Sequence, residues 1–411
     1  FQAEDGIRDC LLSRGLGDVY KRQNMDFKLT EQQRELQETA RNFAQKEMVD
    51  VALSIEHTSE PLSKDWLKKY SEMGFLGINV SEDYGGLGLS NLDALLVMEE
   101  FAKISSAVAF PIFESCVGPV KAIEHFASEE LKLKVIPQVC NGDIVVAVSM
   151  SEPNAGSALT DLTTKAELKD NKILLNGTKR WCSGGGHSEG YVVYCRMSDE
   201  PGANGIGAVY VEKNAEGVSF GQQEKLMGWN GIPSADIYFD NVEVPLGNVI
   251  VEANGGFKKL MEAFDLERCG NAIMCLGQAS GALESVIEYT QEREQFGKQI
   301  VEFQAVQLKL AEMAMKVEAS RLLIHRAAHN AQEGFPSIFE SSVGKCFSNE
   351  TAREVVASAM QLMGGYGFNK EYGMERKYRD VWGWGIAGGT IDIQKINIAS
   401  AMVGKRFNQR K

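Results

Sequence analysis

The sequence predicts a mainly α-helical protein with a central β domain. Apolar residues recur at three- and four-residue steps up to about residue 145 and again from 256 onward. Between them lie short β-rich runs punctuated by Asp-Asn and Asn-Gly pairs. The chain therefore divides into an N-terminal α-helical domain over 25–145, a middle β domain over 146–255 and a C-terminal helix-bundle domain over 256–411.

Residues 1–24 fit none of these. FQAEDGIRDCLLSRGLGDVYKRQN has no sustained period, and Met25 follows it directly. It resembles a translated adapter read-through and lacks the apolar core of a signal peptide, so a non-native or disordered leader is expected.

From Met25 the signals are helical. Thr30 with Gln33 makes a capping-box pair, and Leu36, Ala40, Phe43 and Ala44 then share one face. Further helices are predicted over 64–73, 91–104 and 129–139, with VSEDYGGLGLS at 80–90 a loop between them. In the middle third, strands are predicted over 164–167, 173–175, 191–195, 208–211 and 236–239. Asp170-Asn171, Asn176-Gly177 and Asn204-Gly205 supply hairpin turns. So many short strands suit a small antiparallel barrel or sandwich. Gly205-x-Gly207 precedes a strand rather than following one, so it is no dinucleotide fingerprint. After 256, Phe303, Val306, Leu310, Met313, Val317 and Ile324 form the seam of a helix bundle.

Composition narrows the function. A formal charge of −13 argues against nucleic acid or an anionic membrane as main partner. No apolar run reaches the roughly 18 residues of a membrane span. Eight scattered cysteines without C-x-x-C spacing fit a reducing compartment, and a cytoplasmic location is expected. His325 and His329 are spaced i, i+4 without a carboxylate motif, so they read as a solvated helix face and no metal is expected.

Two breaks stand out. At 146–161, VAVSMSEPNAGSALTD, an apolar strand gives way to small residues that leave backbone groups open to a flat ligand. At 179–186, KRWCSGGG, a strand carrying Trp181 and Ser183 runs into three glycines. Together [TS]-E-P-x-A-G-S and W-x-[ST]-x-G-G resemble the acyl-CoA dehydrogenases, in which these segments hold the isoalloxazine of FAD. Further motifs follow in family order. The 80–90 loop is similar to P-E-x-Y-G-G-L-G, with Ser81 for Pro, and FDNVEVP to F-x-x-V-x-V-P. REQFGKQIVEFQ resembles R-x-x-F-G-x-x-[IL]-x-x-x-Q, and QLMGGYGF resembles Q-x-x-G-G-x-G-[FY]. The resemblance covers the chain from about Met25. It implies an N-terminal helical domain, a small antiparallel β-barrel and a C-terminal four-helix bundle.

It also implies roles. Met150, Ser151, Trp181, Ser183, Thr390 and Asp392 bind FAD. Arg293 and Phe296 reach the FAD of a neighbouring subunit, while Gln361 and Gly365 contact its adenosine half, which implies a homo-oligomer, usually a tetramer. An Arg suits a pyrophosphate because its fork donates two parallel hydrogen bonds. Ser157, Asp265, Arg268 and Ala387 fall at substrate contacts.

The implied reaction is α,β-dehydrogenation of an acyl-CoA. A carboxylate takes the α-proton, the β-hydride passes to flavin N5, and electrons leave to an electron-transfer flavoprotein. Many members place the base in a late Y-E-G-T motif. Here that segment reads Ile386-Ala387-Gly388-Gly389-Thr390, so Gly388 stands at the glutamate position. FDLER at 264–268 resembles the segment from which the isovaleryl-CoA and long-chain branches draw their base, which makes Glu267 the expected catalytic carboxylate. Gly388 can still donate its N–H to the thioester oxygen. Ala387 and Gly388 are small, so a pocket for branched or bulky acyl chains is expected, partly refilled by Trp382 and Trp384. Asn154, Ala158 and Asp392 depart from the family pattern. Two alternatives stand beside this one. The same site can run as an enoyl-CoA reductase of the crotonobetainyl-CoA reductase type, or the chain can be a flavin- and CoA-binding scaffold without turnover.

Overall fold

The computed structural model describes residues 28–332 and 334–407. The expected leader at 1–24 lies outside the described residues. The chain divides into two compact units, Phe1–Glu35 and Leu36–Lys411. In the first, the Thr30 and Gln33 side chains each accept the other's backbone N–H at 3.1 Å, the expected capping box. The second carries the rest of the fold.

Helix α1 (Glu31–Thr58) buries Ala40, Ala44, Met48, Ala52 and Ile55. Its Phe43 meets Tyr70 of α2 (Lys64–Glu72), Phe75 and Phe101 at centroid distances of 5.3–6.0 Å. Helix α3 (Asn91–Ile104) has the expected bounds, because Ser90 and Asp93 close a capping box at its start. Two helices had no sequence signal: α4 (Ser106–Cys116) and α5 (Pro119–Phe126). Helix α4 is buried on nearly every side, so no period marks it, and α5 spans only eight residues, too few for a period to show. Together, Ser106–Phe126 is long and apolar enough to cross a membrane, contrary to expectation. The segment is 89% buried in the protein, and its helix breaks before Pro119, as a core element does. Helix α6 (Glu129–Cys140) leads into the β domain.

The strands are β1 (Val146–Ser149), β2 (Lys165–Lys169), β3 (Lys172–Ser183), β4 (Gly190–Arg196), β5 (Ile206–Glu212), β6 (Val218–Phe220), β7 (Ser234–Pro245) and β8 (Val249–Val251). Their order is β6-β7-β3-β2-β4-β5-β8, with β1 also on β4. The sheet is antiparallel, as expected, in all but two of its pairings. β1 runs parallel to β4, a single parallel bridge joins β2 to β4, and closure into a barrel is not seen. Asn176-Gly177 is not a turn either. It lies within β3 at a bulge, where a Cβ on Gly177 would meet Thr164. Strand β4 shows why a central strand carries no alternation: Tyr191, Val193 and Cys195 face the core inside the β domain, and Val192 and Tyr194 face the helices.

Helix α7 (Gly256–Glu292) runs 37 residues and is buried on nearly every side. Gly277 and Gly281 let α3 approach backbone to backbone, where a Cβ would meet Ala102 and the Lys103 carbonyl. After the hairpin of β9 (Glu294–Gln295) and β10 (Lys298–Gln299) come α8 (Gln304–Ala331) and α9 (Ile338–Met363), which pack with α7. The one-turn α10 (Gly365–Phe368), α11 (Met374–Trp384) and α12 (Ile391–Val403) complete the chain. Of the expected seam on α8, Met313, Val317 and Ile324 are buried, while Phe303, Val306 and Leu310 are half-buried. Leu308, Met315 and Leu322, seven apart, are exposed on the same helix. His325 is not on a solvated face. It is half-buried beside Glu99 and Arg321, and burial draws its pKa down.

Candidate active site

The two sequence breaks meet. Beyond β1 the chain turns at Glu152, whose N–H and C=O both bond Ala155. The Glu152 carboxylate accepts from Thr163 N and Oγ1, Thr164 N and Lys179 Nζ at 2.7–2.9 Å. Burial opposes its charge, yet Lys179 and these donors win and hold its pKa at about 2. Fully buried Lys179 also donates to Met150 O at 3.0 Å, and Arg180 N–H donates to Ser151 O at 2.9 Å. One buried ion pair and one backbone bond thus clamp the first break onto the second.

Trp181 follows at φ +60 and is 52% exposed. A large aromatic in that region stores roughly 1–3 kcal/mol of strain, which is tolerated where function needs it. The bulge between Lys179 and Cys182 re-aims the side chain. The Arg180 guanidinium lies 4.2 Å from its ring centroid and is itself held by Asp236 and Glu224. Ser183 is half-buried and pairs with Ser234, Met150 is half-buried at the loop entry, and Ser157 is exposed at its tip.

Glu267 lies on α7 and is only 8% exposed. Burial lifts its pKa to about 8, against the opposing charges of Arg268 and Lys345. Two groups on other elements feel it. Glu114 of α4 is pushed far up by its own burial and then by Glu267. Tyr194 of β4 is raised by burial and then by Glu267. Ser149 of β1 lies opposite Val193 of β4, so Met150 and Tyr194 come next on neighbouring strands. Glu267 therefore sits near the start of the first break. Asp265 and Arg268 pair with each other beneath the surface, and Asp265 also accepts from Ser341 Oγ at 2.7 Å.

The late segment reaches the same place. Gly388 has φ +66, and a Cβ there would lie 2.9–3.2 Å from the amide of Asn271. Asn271 is one turn past Glu267 and donates to the Glu267 carbonyl at 2.9 Å. The bend at 385–389 thus lies against α7 one turn past Glu267, and Lys345, whose charge acts on Glu267, holds the carbonyls of Ala387 and Gly389 on either side of Gly388. Ala387 and Thr390 are half-buried, Thr390 caps α12, and Asp392 is exposed in its first turn. Trp384 is buried, donates to Ser106 Oγ at 3.2 Å and packs on Phe113 and Trp229. Trp382 does not join it. Its ring is 38% exposed, with the Arg353 guanidinium 4.1 Å away.

A separate cavity of about 430 Å³ lies beyond the far end of α7, lined by Arg293, Gly365, Tyr289, Tyr366, Asn369 and Tyr372 among others. A guanidinium among tyrosines suits a flat anionic ligand. Arg293 and Gly365 come together as expected. Phe296, 94% exposed at a turn, and Gln361, exposed on α9, are not among its lining residues. No hydrogen bond or ring contact joins this cavity to Met150, Ser151, Trp181 or Ser183 among the described residues.

Four contributors carried no usable signal. Lys179, Glu114, Asn271 and Lys345 act through residues distant in the sequence, which their local surroundings do not announce. No group of three or more His, Cys, Asp or Glu side chains placed to hold a metal occurs among the described residues.

Family models described as the N-terminal, middle and C-terminal domains of acyl-CoA dehydrogenase match residues 30–143, 147–242 and 254–403. A probable acyl-CoA dehydrogenase of Mycobacterium leprae is 36% identical over 92% of this chain and 97% of its own. An acryloyl-CoA reductase (NADH) of Anaerotignum propionicum is 36% identical over 91% of this chain and 95% of its own. The solved butyryl-CoA dehydrogenase of Megasphaera elsdenii superimposes with a TM-score of 0.88 at 32% identity, over 92% of this chain and all of that one.

Proposed function

Because this chain belongs to the acyl-CoA dehydrogenase family, an FAD-dependent family of oxidoreductases, we propose that it dehydrogenates an acyl-CoA thioester between Cα and Cβ with Glu267 as the base. The observation that carries this is that Lys345, whose charge acts on buried Glu267, holds the carbonyls on both sides of Gly388, which itself packs against Asn271 one turn past Glu267. No carboxyl stands at the late position, and the buried Glu267 carboxyl supports its replacement by a base on α7. Bound FAD supplies the acceptor for the β-hydride. The clamped break at Met150 and Ser151 and the strained Trp181 fit its ring, and the Arg293 cavity of a second copy fits its phosphates.

The chain's own groups do the rest. Glu267 takes the α-proton, and the Gly388 N–H donates to the thioester oxygen as negative charge gathers there. A pKa of about 8 suits a weak carbon acid better than that of an exposed glutamate does. Ala387 and Gly388 leave room for a branched or bulky acyl chain, with buried Trp384 and Phe113 as an apolar wall. Asp265 and Arg268 serve the coenzyme A portion once their mutual pair opens, and Ser157 lies where substrate enters.

The site is split along α7. From Glu267 to Arg293 the helix rises about 39 Å at 1.5 Å per residue, more than one dinucleotide spans. Arg293 and Gly365 then serve the FAD of a second copy, and the exposed Leu308, Met315 and Leu322 supply contact surface for a homotetramer. Electrons pass to an electron-transfer flavoprotein, in a cytoplasmic setting. The reverse direction, enoyl-CoA reduction, uses the same groups and is favoured by the relative named acryloyl-CoA reductase.

The test is Glu267→Gln, mixed anaerobically with acyl-CoAs while flavin absorbance is followed. FAD and acyl-CoA binding should persist while bleaching slows by on the order of 10²-fold or more. In the wild type the bleaching rate should rise with pH through about 8, as Glu267 ionises. Near-wild-type bleaching by the variant would refute the assignment.

A further inference from the structure

We propose that Lys345 is a positioning residue for the thioester oxygen: through the peptide unit joining Ala387 and Gly388, it aims and polarises the Gly388 N–H. This rests on the reading that Gly388 donates to the thioester. Lys345 projects from α9 and is completely buried. Its Nζ donates to three carbonyls of the late segment: Trp384 at 3.0 Å, Ala387 at 2.6 Å and Gly389 at 2.9 Å. An ammonium has three N–H donors and no acceptor, so these three carbonyls saturate it.

Peptide units are planar and trans, so the N–H of a unit points opposite to its C=O. The Ala387 carbonyl and the Gly388 N–H belong to one unit. Anchoring that carbonyl on Lys345 therefore turns the Gly388 N–H away from α9. The neighbouring N–H groups are engaged elsewhere: those of Ile386 and Ala387 both donate to Gly383 O at 3.0 and 2.9 Å. The Gly388 N–H has no partner among the described residues.

Gln394 of α12 braces the same segment. It donates to Gly389 O at 3.0 Å and Gly388 O at 3.4 Å, and its own oxygen accepts from Ser342 at 3.0 Å. Successive carbonyls thus face the α9–α12 side. Burial draws the Lys345 pKa down to about 7, while three carbonyl acceptors favour its ammonium form. In that form the charge at the carbonyl end of the Ala387–Gly388 unit strengthens its N–H as a donor, by the polarisation that runs along hydrogen-bond chains. Lys345 is the only cation on the Ala387 carbonyl among the described residues.

The experiment reads the carbonyl itself. Butyryl-CoA carrying ¹³C at C1 is bound to the FAD-loaded Glu267→Gln protein, which holds it without turnover, and the carbonyl stretch is measured by isotope-edited infrared difference. Binding should shift the band down. Lys345→Met, added to that background, should remove at least half of the shift while changing the dissociation constant less than about threefold. In the otherwise wild-type enzyme the same change should lower kcat by about 10²-fold, the weight of an oxyanion donor, with KM little altered. Should Lys345→Met fail to fold, Lys345→Gln keeps a polar amide on a shorter side chain without the charge, and the same loss of shift is expected. A folded, ligand-binding Met or Gln variant with the full shift overturns the proposal, as does a parent protein that shows no shift. Flavin bleaching by wild type tests the dehydrogenase reading separately, so the two can fail independently.

Discussion

Glu267→Gln should stabilise the protein, by an amount that grows with pH. Glu267 is buried, and its pKa is raised from the ordinary 4.5 to about 8. Across that window the folded chain keeps a proton that the unfolded chain has released. The unfolded state binds fewer protons, so stability falls as pH rises from about 4.5 to about 8 and is level above. At about 1.4 kcal/mol per pH unit, the wild-type carboxyl costs about 1 kcal/mol near pH 5, about 3 near pH 7 and about 5 above pH 8. Gln keeps the shape and has no proton to lose. In a chain of this size 1 kcal/mol moves the melting temperature by roughly 1–2 °C. The variant should therefore melt within about 2 °C of wild type near pH 5 and about 5–10 °C above it near pH 8.5. Scanning fluorimetry of both proteins with saturating FAD, at constant ionic strength, measures the difference. A difference that ignores pH, or a variant less stable in alkali, would refute the buried carboxyl.

Two further outcomes are expected. Gly388→Glu in the Glu267→Gln background should restore little flavin reduction, because the positive φ and the Asn271 amide crowd the new side chain. Adding Asn271→Ala should raise the recovery by about tenfold or more, the lower range for a positioned base, and equal recovery with Asn271 intact would show that the two positions do not share a space. Leu308→Lys with Met315→Lys should lower the mass seen by light scattering to that of a smaller species, and an unchanged mass would place the contact surface elsewhere.

The order of helices, strands and helices was legible because each region has its own apolar period. Helix α3 was legible to the residue because Ser90 and Asp93 cap it. Helix α4 was not, since burial on nearly all sides erases a period, and α5 was not, since eight residues are too few to show one. Asn176-Gly177 misled because a bulge and a turn use the same residues. In the site, Glu267 and the two breaks were legible from local motifs. The Glu152–Lys179 pair, Glu114, Asn271 and Lys345 depend on contacts between residues far apart in sequence, which no local pattern encodes.

Helix α7 carries the proposed base in its first third and caps at Arg293 at its far end. On the split-site reading, each FAD is a ligand of the assembled chains and not of one. Mass action then couples three quantities: protein concentration, cofactor occupancy and thermal stability. Dilution alone should release flavin, and added FAD should hold the assembly together at concentrations where the apoprotein comes apart.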